Sequence, residues 1–265
     1  MSTVSTRVGP VAYCDEGAGP VVVLLHAVLH DRHDFDAIKP ELVRDYRVIA
    51  VDWPDHGESP APSSTPSAAL YADILEDLVA ALDLPPAVFI GSSVGGYCAA
   101  RLAITDPTRV AALVLVDTGG FLGGPLTNMY CRILGMPAVM RRVLPRFVRS
   151  YLGAQSDNDQ AVLRRVTERA NTDQGVRLAA ALWRSFAAAD ADLRGRAPRI
   201  SAPTLIVWGA RDTAIPVRFG RGTARAIAGS RLEVQDTGHL PFSSQPQKFL
   251  AVVRPFLDEA IAAAA

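Results

Sequence analysis

Short apolar runs alternate with helix-like patterns along the first half of the chain. Residues 21–25, 47–51, 87–90 and 110–116 are mostly apolar, contain several valine and isoleucine residues and are bounded by proline, glycine or polar clusters. Such runs are typical of strands buried in a parallel sheet. Residues 67–83 instead place their apolar side chains at three- and four-residue steps, which predicts an amphipathic helix. Strands alternating with helices predict an α/β fold with a mainly parallel sheet flanked by helices.

The alternation of strands and helices changes after residue 120. Residues 121–196 contain no convincing strand and have the pattern of several helices, and strand-like runs return at 203–208 and 231–234. A helical segment therefore interrupts the predicted sheet. The predicted division is an α/β core of residues 1–120 and 197–265 with an inserted helical lid of residues 121–196.

Composition describes a globular chain large enough for one substantial core. The 265 residues are 49% hydrophobic and 20% charged, with a formal net charge of zero. A neutral chain gives no electrostatic reason to expect nucleic acid or a membrane surface as partner. No apolar stretch approaches the roughly 20 residues of a membrane span, and the first residues have no apolar signal segment. Three separated cysteines suggest neither disulfides nor a zinc site, so we expect a cytoplasmic protein.

A glycine-flanked serine marks the first candidate for chemistry. Residues 91–95 read G-S-S-V-G, directly after the apolar run 87–90 and directly before a helix-like segment. This is the G-x-S-x-G nucleophile elbow in its strand–turn–helix setting, where the serine oxygen is lifted above the edge of the sheet. Ser93 is therefore the candidate nucleophile.

A serine hydroxyl needs a base to remove its proton and an acid to orient that base. The later part of the chain offers both, because Asp212 follows one predicted strand and His239 follows the next. The carboxyl ends of parallel strands lie along one edge of a sheet, so these residues can converge on Ser93.

Five strings in a fixed order extend this pattern over nearly the whole chain. They are L-H at 25–26, V-D-W-P-D-H-G-E-S at 51–59, the elbow, W-G-A-R-D at 208–212 and G-H-L-P-F at 238–242. In these strings the chain resembles the lid-bearing serine hydrolases of the α/β-hydrolase fold. The resemblance implies that Ser93 is the nucleophile, His239 the general base and then acid, and Asp212 the orienting carboxylate. Some relatives place that acid where Asp117 stands, so Asp117 is the alternative.

The loop after residue 25 departs from the family pattern. By resemblance, the backbone N–H groups of Val28 and Val94 form the oxyanion hole, but Ala27 stands where the family usually has glycine. A methyl group there restricts positive φ, at a cost of roughly 1 kcal/mol if that conformation is needed. Either the loop follows another path or the site is altered. His26 and Ala27 are also candidate substrate contacts.

The predicted lid carries flexible apolar side chains and many arginines. Met129 and Met136 are candidate substrate contacts, although such side chains could equally hold lid and core together. The arginines either form solvated helix faces or recruit an anionic substrate or an acidic carrier protein. They are Arg132, Arg141, Arg142, Arg146, Arg149, Arg164, Arg165 and Arg169.

Residues 30–35 read H-D-R-H-D-F and raise the question of a metal site. No ligand geometry is implied, so we expect a surface loop beside the oxyanion hole, with one of these side chains lining the pocket mouth. His56 is expected to have a structural role in a family turn.

The favoured function is hydrolysis of a small, largely apolar ester, lactone or thioester through an acyl-enzyme, with no metal or organic cofactor. Hydrolysis of C–C bonds in diketone-type substrates is the enzymatic alternative. A ligand-binding or slow, non-hydrolytic protein of the same fold is the alternative from another class. By resemblance, dehalogenases and epoxide hydrolases require aspartate at the elbow, where this chain has Ser93.

Overall fold

An eight-stranded sheet forms the centre of the computed structural model, which describes residues 2–264. The strand order is β1-β2-β4-β3-β5-β6-β7-β8. The strands are β1 (Ser2–Thr6), β2 (Gly9–Glu16), β3 (Val21–Leu25), β4 (Arg47–Val51), β5 (Ala87–Ser92), β6 (Val110–Val116), β7 (Thr204–Gly209) and β8 (Arg231–Gln235). β2 is antiparallel to both of its neighbours, and every other pair of neighbours is parallel. The predicted mainly parallel sheet is therefore confirmed.

Apolar content explains which strands the sequence predicted. β3, β5 and β7 are buried at every position, as continuous apolar runs require in a sheet covered on both faces. β1 was not predicted, because only Val4 of its five residues is buried and the rest are polar. A strand at the edge of a sheet can expose one face, so its sequence lacks the apolar run that marks a central strand.

Ten α-helices lie among the described residues. They are α1 (Lys39–Leu42), α2 (Ala68–Ala81), α3 (Val94–Thr105), α4 (Pro125–Leu134), α5 (Pro137–Leu152), α6 (Asp157–Ala170), α7 (Asp173–Ser185), α8 (Arg218–Ala226), α9 (Pro241–Ser244) and α10 (Pro246–Ala264). The predicted helix at 67–83 is α2, with Ser67 as its N-cap accepting a hydrogen bond from the Leu70 N–H at 3.1 Å. None of the described helices has the length and apolar character of a membrane span.

Helices α4 to α7 fill the chain between β6 and β7, and we call residues 121–196 the helical insertion. No strand occurs in this segment, all of which the structure describes. Among the described residues, three ion pairs join α6 to loops that follow core strands: Arg165 with Asp31 and with Asp34, both at 3.1 Å, and Arg169 with Asp55 at 3.3 Å. The insertion leaves the sheet at the carboxyl end of β6, the edge on which the candidate site lies.

Candidate active site

The turn between β5 and α3 holds Ser93 in a strained conformation, with φ 53° and ψ −112°. A non-glycine residue with positive φ is costly, and such strain persists only where surrounding contacts enforce it. Here the Ser93 N–H donates to the Val116 carbonyl at 3.0 Å, and its own carbonyl accepts from the Gly119 N–H at 3.1 Å. These bonds fix the turn that presents the half-buried Ser93 side chain.

Close backbone approaches explain the two glycines of the elbow. A Cβ atom at Gly91 would lie 2.5 Å from the Gly95 carbonyl oxygen, and one at Gly95 would overlap the Leu25 carbonyl. Backbone atoms cannot yield as a flexible side chain can, so only glycine fits at both positions.

Asp212 and His239 form a buried pair on the loops after β7 and β8. The His239 Nδ1–H donates to Asp212 Oδ2 at 2.6 Å. The other carboxylate oxygen accepts from the N–H groups of Ala214 at 2.7 Å and Ile215 at 3.1 Å. The carboxylate is therefore held by three donors, and its hydrogen bond sets the orientation and tautomer of the imidazole.

Asp117, the alternative acid, lies beside this pair but does not bond to the imidazole. Its carboxylate accepts from the Gly209 N–H at 3.0 Å. Oxygen and nitrogen atoms of Asp117, Asp212 and His239 lie within 4.8 Å of one another. Burial, and then the charge of Asp212, raise the pKa of Asp117 well above its usual value, which disfavours a charged Asp117 beside Asp212. The geometry thus favours Asp212 as the partner of His239.

Ser93 and His239 line one cavity between the sheet edge and the helical insertion. Apart from these two residues and Tyr151, its walls are apolar or glycine. The core side is formed by Ala27, Val28, Leu29, Val94, Ala214 and Ile215. The insertion side is formed mainly by Leu144, Phe147, Tyr151, Leu182, Trp183 and Phe186. An apolar cavity of this kind strengthens electrostatic interactions around a reacting serine.

In the loop after β3, Ala27 does not adopt the left-handed conformation that would favour glycine. Positive φ occurs at Leu29, with φ 71°, and not at Ala27. The strain expected of the Ala27 methyl group is therefore absent. Among the described residues, the Val28 N–H meets no backbone or side-chain acceptor, and the Val94 N–H is at the first turn of α3, where helical N–H groups lack partners. Both N–H groups are available to a ligand.

Two buried imidazoles support this loop. His26 Nδ1–H donates to the Ala27 carbonyl at 2.7 Å, and His56 Nε2 accepts from the Leu29 N–H at 2.9 Å. Burial lowers the pKa of both histidines, which keeps them neutral and able to accept hydrogen bonds. His26 is fully buried and does not line the cavity, so the structure does not support it as a substrate contact. Ala27 does line the cavity.

The two methionines proposed as substrate contacts lie elsewhere. Met129 is 53% exposed and Met136 is 49% exposed, and neither lines the cavity. Both lie on or beside α4, whose apolar pattern does not reveal which side packs inward. The insertion instead contributes aromatic rings such as Trp183 and Phe186, which no sequence pattern singles out.

His30 and Asp34 are not on a surface loop, contrary to expectation. Each is 2% exposed, and His30 Nδ1 lies 2.5 Å from Asp34 Oδ2. Pairing with each other allows both polar groups to be buried. Among the described residues, neither His30 nor Asp34 belongs to a group of three or more side chains that could bind a metal ion.

With this geometry in view, the model of the alpha/beta hydrolase fold family matches residues 20–246, and the chain belongs to that family. It is a hydrolase of the α/β fold. Among characterised relatives, it is 32% identical to the pimeloyl-[acyl-carrier protein] methyl ester esterase of Neisseria meningitidis, over 89% of this chain and 93% of the relative.

Solved structures give the same picture. A hydrolase from Pseudomonas aeruginosa PA01 superposes with a TM-score of 0.81 at 28% identity, covering 97% of both chains. The enol-lactonase from Burkholderia xenovorans LB400 superposes with a TM-score of 0.80 at 25% identity, covering 97% of this chain and all of the other. Ester and lactone hydrolysis are thus both represented among the relatives.

Proposed function

We propose that this protein is a serine hydrolase that cleaves a small, largely apolar ester or lactone through an acyl-enzyme. The supporting observation is that Ser93 and His239 line one apolar cavity while Asp212 holds His239 at 2.6 Å. The resemblance to esterases and lactonases points to the same chemistry.

In the proposed reaction, His239 removes the proton from Ser93 as its oxygen attacks the carbonyl carbon of the substrate. The charge on the substrate oxygen is then stabilised by the N–H groups of Val28 and Val94, a contribution worth roughly 100- to 1,000-fold in rate per donor. Asp212 stabilises the imidazolium that forms. His239 returns the proton to the leaving group, and water then cleaves the acyl-enzyme by the same route.

Cavity size and lining narrow the substrate class. The cavity has a volume of about 50 Å³. Among the described residues, no lysine, arginine, aspartate or glutamate lines it. One uncharged, apolar part of the substrate, of a few carbon atoms, therefore fits beside Ser93.

A second cleft can take the rest of the substrate. It has a volume of about 380 Å³ and shares Leu122, Trp183 and Ala214 with the inner cavity. Arg218 lies on its wall and pairs with no acidic side chain among the described residues. The cleft thus suits the larger and more polar part of an ester.

A panel of p-nitrophenyl esters of increasing acyl length, together with γ- and δ-lactones, tests this proposal. We expect turnover of short-chain esters that falls steeply once the acyl group exceeds a few carbons, and no turnover by Ser93→Ala. Equal activity of Ser93→Ala, or no activity of the wild type on any ester or lactone, would contradict the proposal.

An acyl group carried by an acidic carrier protein is a second candidate substrate. Residues 125–152 contain five arginines and no aspartate or glutamate. Arg141 pairs with Asp173 at 2.7 Å. The other four, Arg132, Arg142, Arg146 and Arg149, are exposed and have no acidic partner among the described residues. The relative that acts on a pimeloyl-[acyl-carrier protein] ester favours this partner.

Charge reversal on α5 tests the carrier. We expect Arg142→Glu with Arg146→Glu to lower kcat/KM for a methyl ester on acyl carrier protein at least about tenfold, and salt to have the same effect on the wild type, because exposed charges are screened. Turnover of p-nitrophenyl acetate should not change. The matched control is Arg199→Glu, an exposed arginine that precedes β7. Salt-independent turnover of the carrier-borne ester would exclude this partner.

A further inference from the structure

A second buried hydrogen-bond chain lies next to the proposed catalytic residues. His30 Nδ1 lies 2.5 Å from Asp34 Oδ2, and His30 Nε2 lies 3.0 Å from the Tyr151 hydroxyl. Asp34 and His30 are 2% exposed and Tyr151 is 6% exposed. The chain links the oxyanion loop after β3 to the last turn of α5 in the helical insertion.

The direction of this chain follows from its two ends. The other oxygen of Asp34 accepts from the Arg165 guanidinium at 3.1 Å, and a carboxylate in such an ion pair only accepts hydrogen bonds. With the proton between Asp34 and His30 placed on Nδ1, the ring offers Nε2 as an acceptor to the Tyr151 hydroxyl. Burial, followed by the charges of Asp34 and Asp212, raises the pKa of Tyr151, so this hydroxyl keeps its proton.

Tyr151 also contacts the proposed general base directly. Its carbonyl accepts from the His239 N–H at 2.8 Å. Its ring meets the imidazole edge-on, with centroids 5.3 Å apart and planes at 75°. A Cβ atom at Gly238 would overlap the Tyr151 carbonyl, so the end of α5 packs closely against the His239 loop. The Tyr151 side chain is therefore held by the hydrogen bond of its hydroxyl to His30, and its ring packs against the His239 imidazole.

We propose that Asp34, His30 and Tyr151 are positioning residues that hold the His239 imidazole in the orientation that serves Ser93. Asp212 holds one nitrogen of the ring through a single hydrogen bond. The Tyr151 ring packs edge-on against the imidazole and limits its tilt, and the hydroxyl bond to His30 keeps the Tyr151 ring in place. Misplacement of a catalytic group by about 1 Å costs as much as 100-fold in rate, so partial loss of this restraint should be measurable.

The variant Tyr151→Phe tests this inference, because the substitution removes the hydroxyl and keeps the ring. The inference rests on the proposed function. We expect kcat for p-nitrophenyl acetate to fall about tenfold with KM unchanged within about twofold. The rate of inactivation by a fluorophosphonate should fall by the same factor, because it depends on His239 and not on ester binding. His30→Gln should give a similar loss, and the double variant should lose little more than either single variant.

Tyr46→Phe is the matched control, because its buried hydroxyl donates to Asp258 at 2.6 Å and does not line the cavity. Both tyrosine variants should unfold at a lower temperature, but only Tyr151→Phe should lose kcat. An unchanged kcat in Tyr151→Phe, or a raised KM alone, would overturn the positioning role. If Tyr151→Phe does not fold, His30→Gln decides by the same criteria. A wild type that neither reacts with the fluorophosphonate nor cleaves an ester would instead contradict the proposed function.

Discussion

Two buried aspartate–histidine pairs lie close together in this protein, and their differences are instructive. The nitrogen–oxygen distance is 2.6 Å between His239 and Asp212 and 2.5 Å between His30 and Asp34. Only His239 lines the cavity with Ser93, whereas the second nitrogen of His30 faces a phenol. Identical residue types at nearly identical distances thus have different surroundings.

The partners of the two carboxylates also differ. Asp34 forms an ion pair with the Arg165 guanidinium, and this cation partly compensates the negative charge of the Asp34 carboxylate. Asp212 is bonded to neutral backbone N–H groups, and among the described residues its one ion-pair partner is His239. An uncompensated carboxylate stabilises an adjacent imidazolium better than a compensated one does. The Asp212 pair is therefore suited to proton transfer, and the Asp34 pair to holding a hydroxyl group.

Replacing each histidine by glutamine should separate the pairs most strongly. We expect His239→Gln to lower kcat/KM for p-nitrophenyl acetate by about 10,000-fold, because the base is lost. His30→Gln should cost about tenfold, since only positioning is impaired. The measurement is the steady-state kcat/KM of the two purified variants. Equal losses of kcat/KM in both would contradict the different roles assigned to the two pairs.

Replacing each carboxylate by its amide should give the next largest effect. Asp212→Asn should lower kcat about 1,000-fold or more, because the amide cannot stabilise the imidazolium and favours the wrong tautomer. Asp34→Asn should stay within about tenfold of the wild type. Single-turnover acylation rates check both values. A larger loss in Asp34→Asn than in Asp212→Asn would assign the catalytic role to the other pair.

Asp117 sharpens the comparison, because it places a second buried carboxyl group beside the Asp212 pair. The folded-state pKa of Asp117 is raised by burial and by Asp212, so the native chain holds this proton to a higher pH than the unfolded chain, which releases it above about pH 4. The contribution of this group to stability is present below that pH. It falls as pH rises towards the raised pKa, by at most about 1.4 kcal/mol per pH unit.

Asp117→Asn removes this titration, since an amide mimics the protonated carboxyl group. We expect its unfolding temperature to exceed that of the wild type by a margin that grows from pH 4 to pH 8. Differential scanning calorimetry across this range is the measurement. Parallel pH profiles for the two proteins would show that Asp117 is ionised in the native state.

Ala27→Gly should have the smallest effect. The left-handed residue of the loop after β3 is Leu29, so glycine at position 27 relieves no strain. We expect kcat to change less than about twofold and stability to fall by roughly 0.5–1 kcal/mol from the added backbone freedom. Urea unfolding and ester kinetics check both. A large gain in kcat would mean that the loop needs positive φ at position 27.

Much of the core could be predicted from the sequence, because buried parallel strands leave continuous apolar runs and the elbow needs its glycines. β6 was predicted with its observed bounds. The roles of Leu29 and Tyr151 could not be predicted. The hydroxyl of Tyr151 meets His30 across 121 positions of sequence, and that meeting depends on how α5 packs over the sheet edge. No local pattern records such a contact. The sequence likewise predicts a substrate contact for Met129, whose side chain is exposed in the structure.

Fluorophosphonate labelling followed by peptide mass mapping tests the central claim most directly. The proposed function predicts one adduct on the wild-type protein, located at Ser93, with no adduct on Ser93→Ala and a strongly slowed reaction in His239→Gln. A folded wild type that stays unlabelled, or an adduct at another residue that persists in Ser93→Ala, would contradict it.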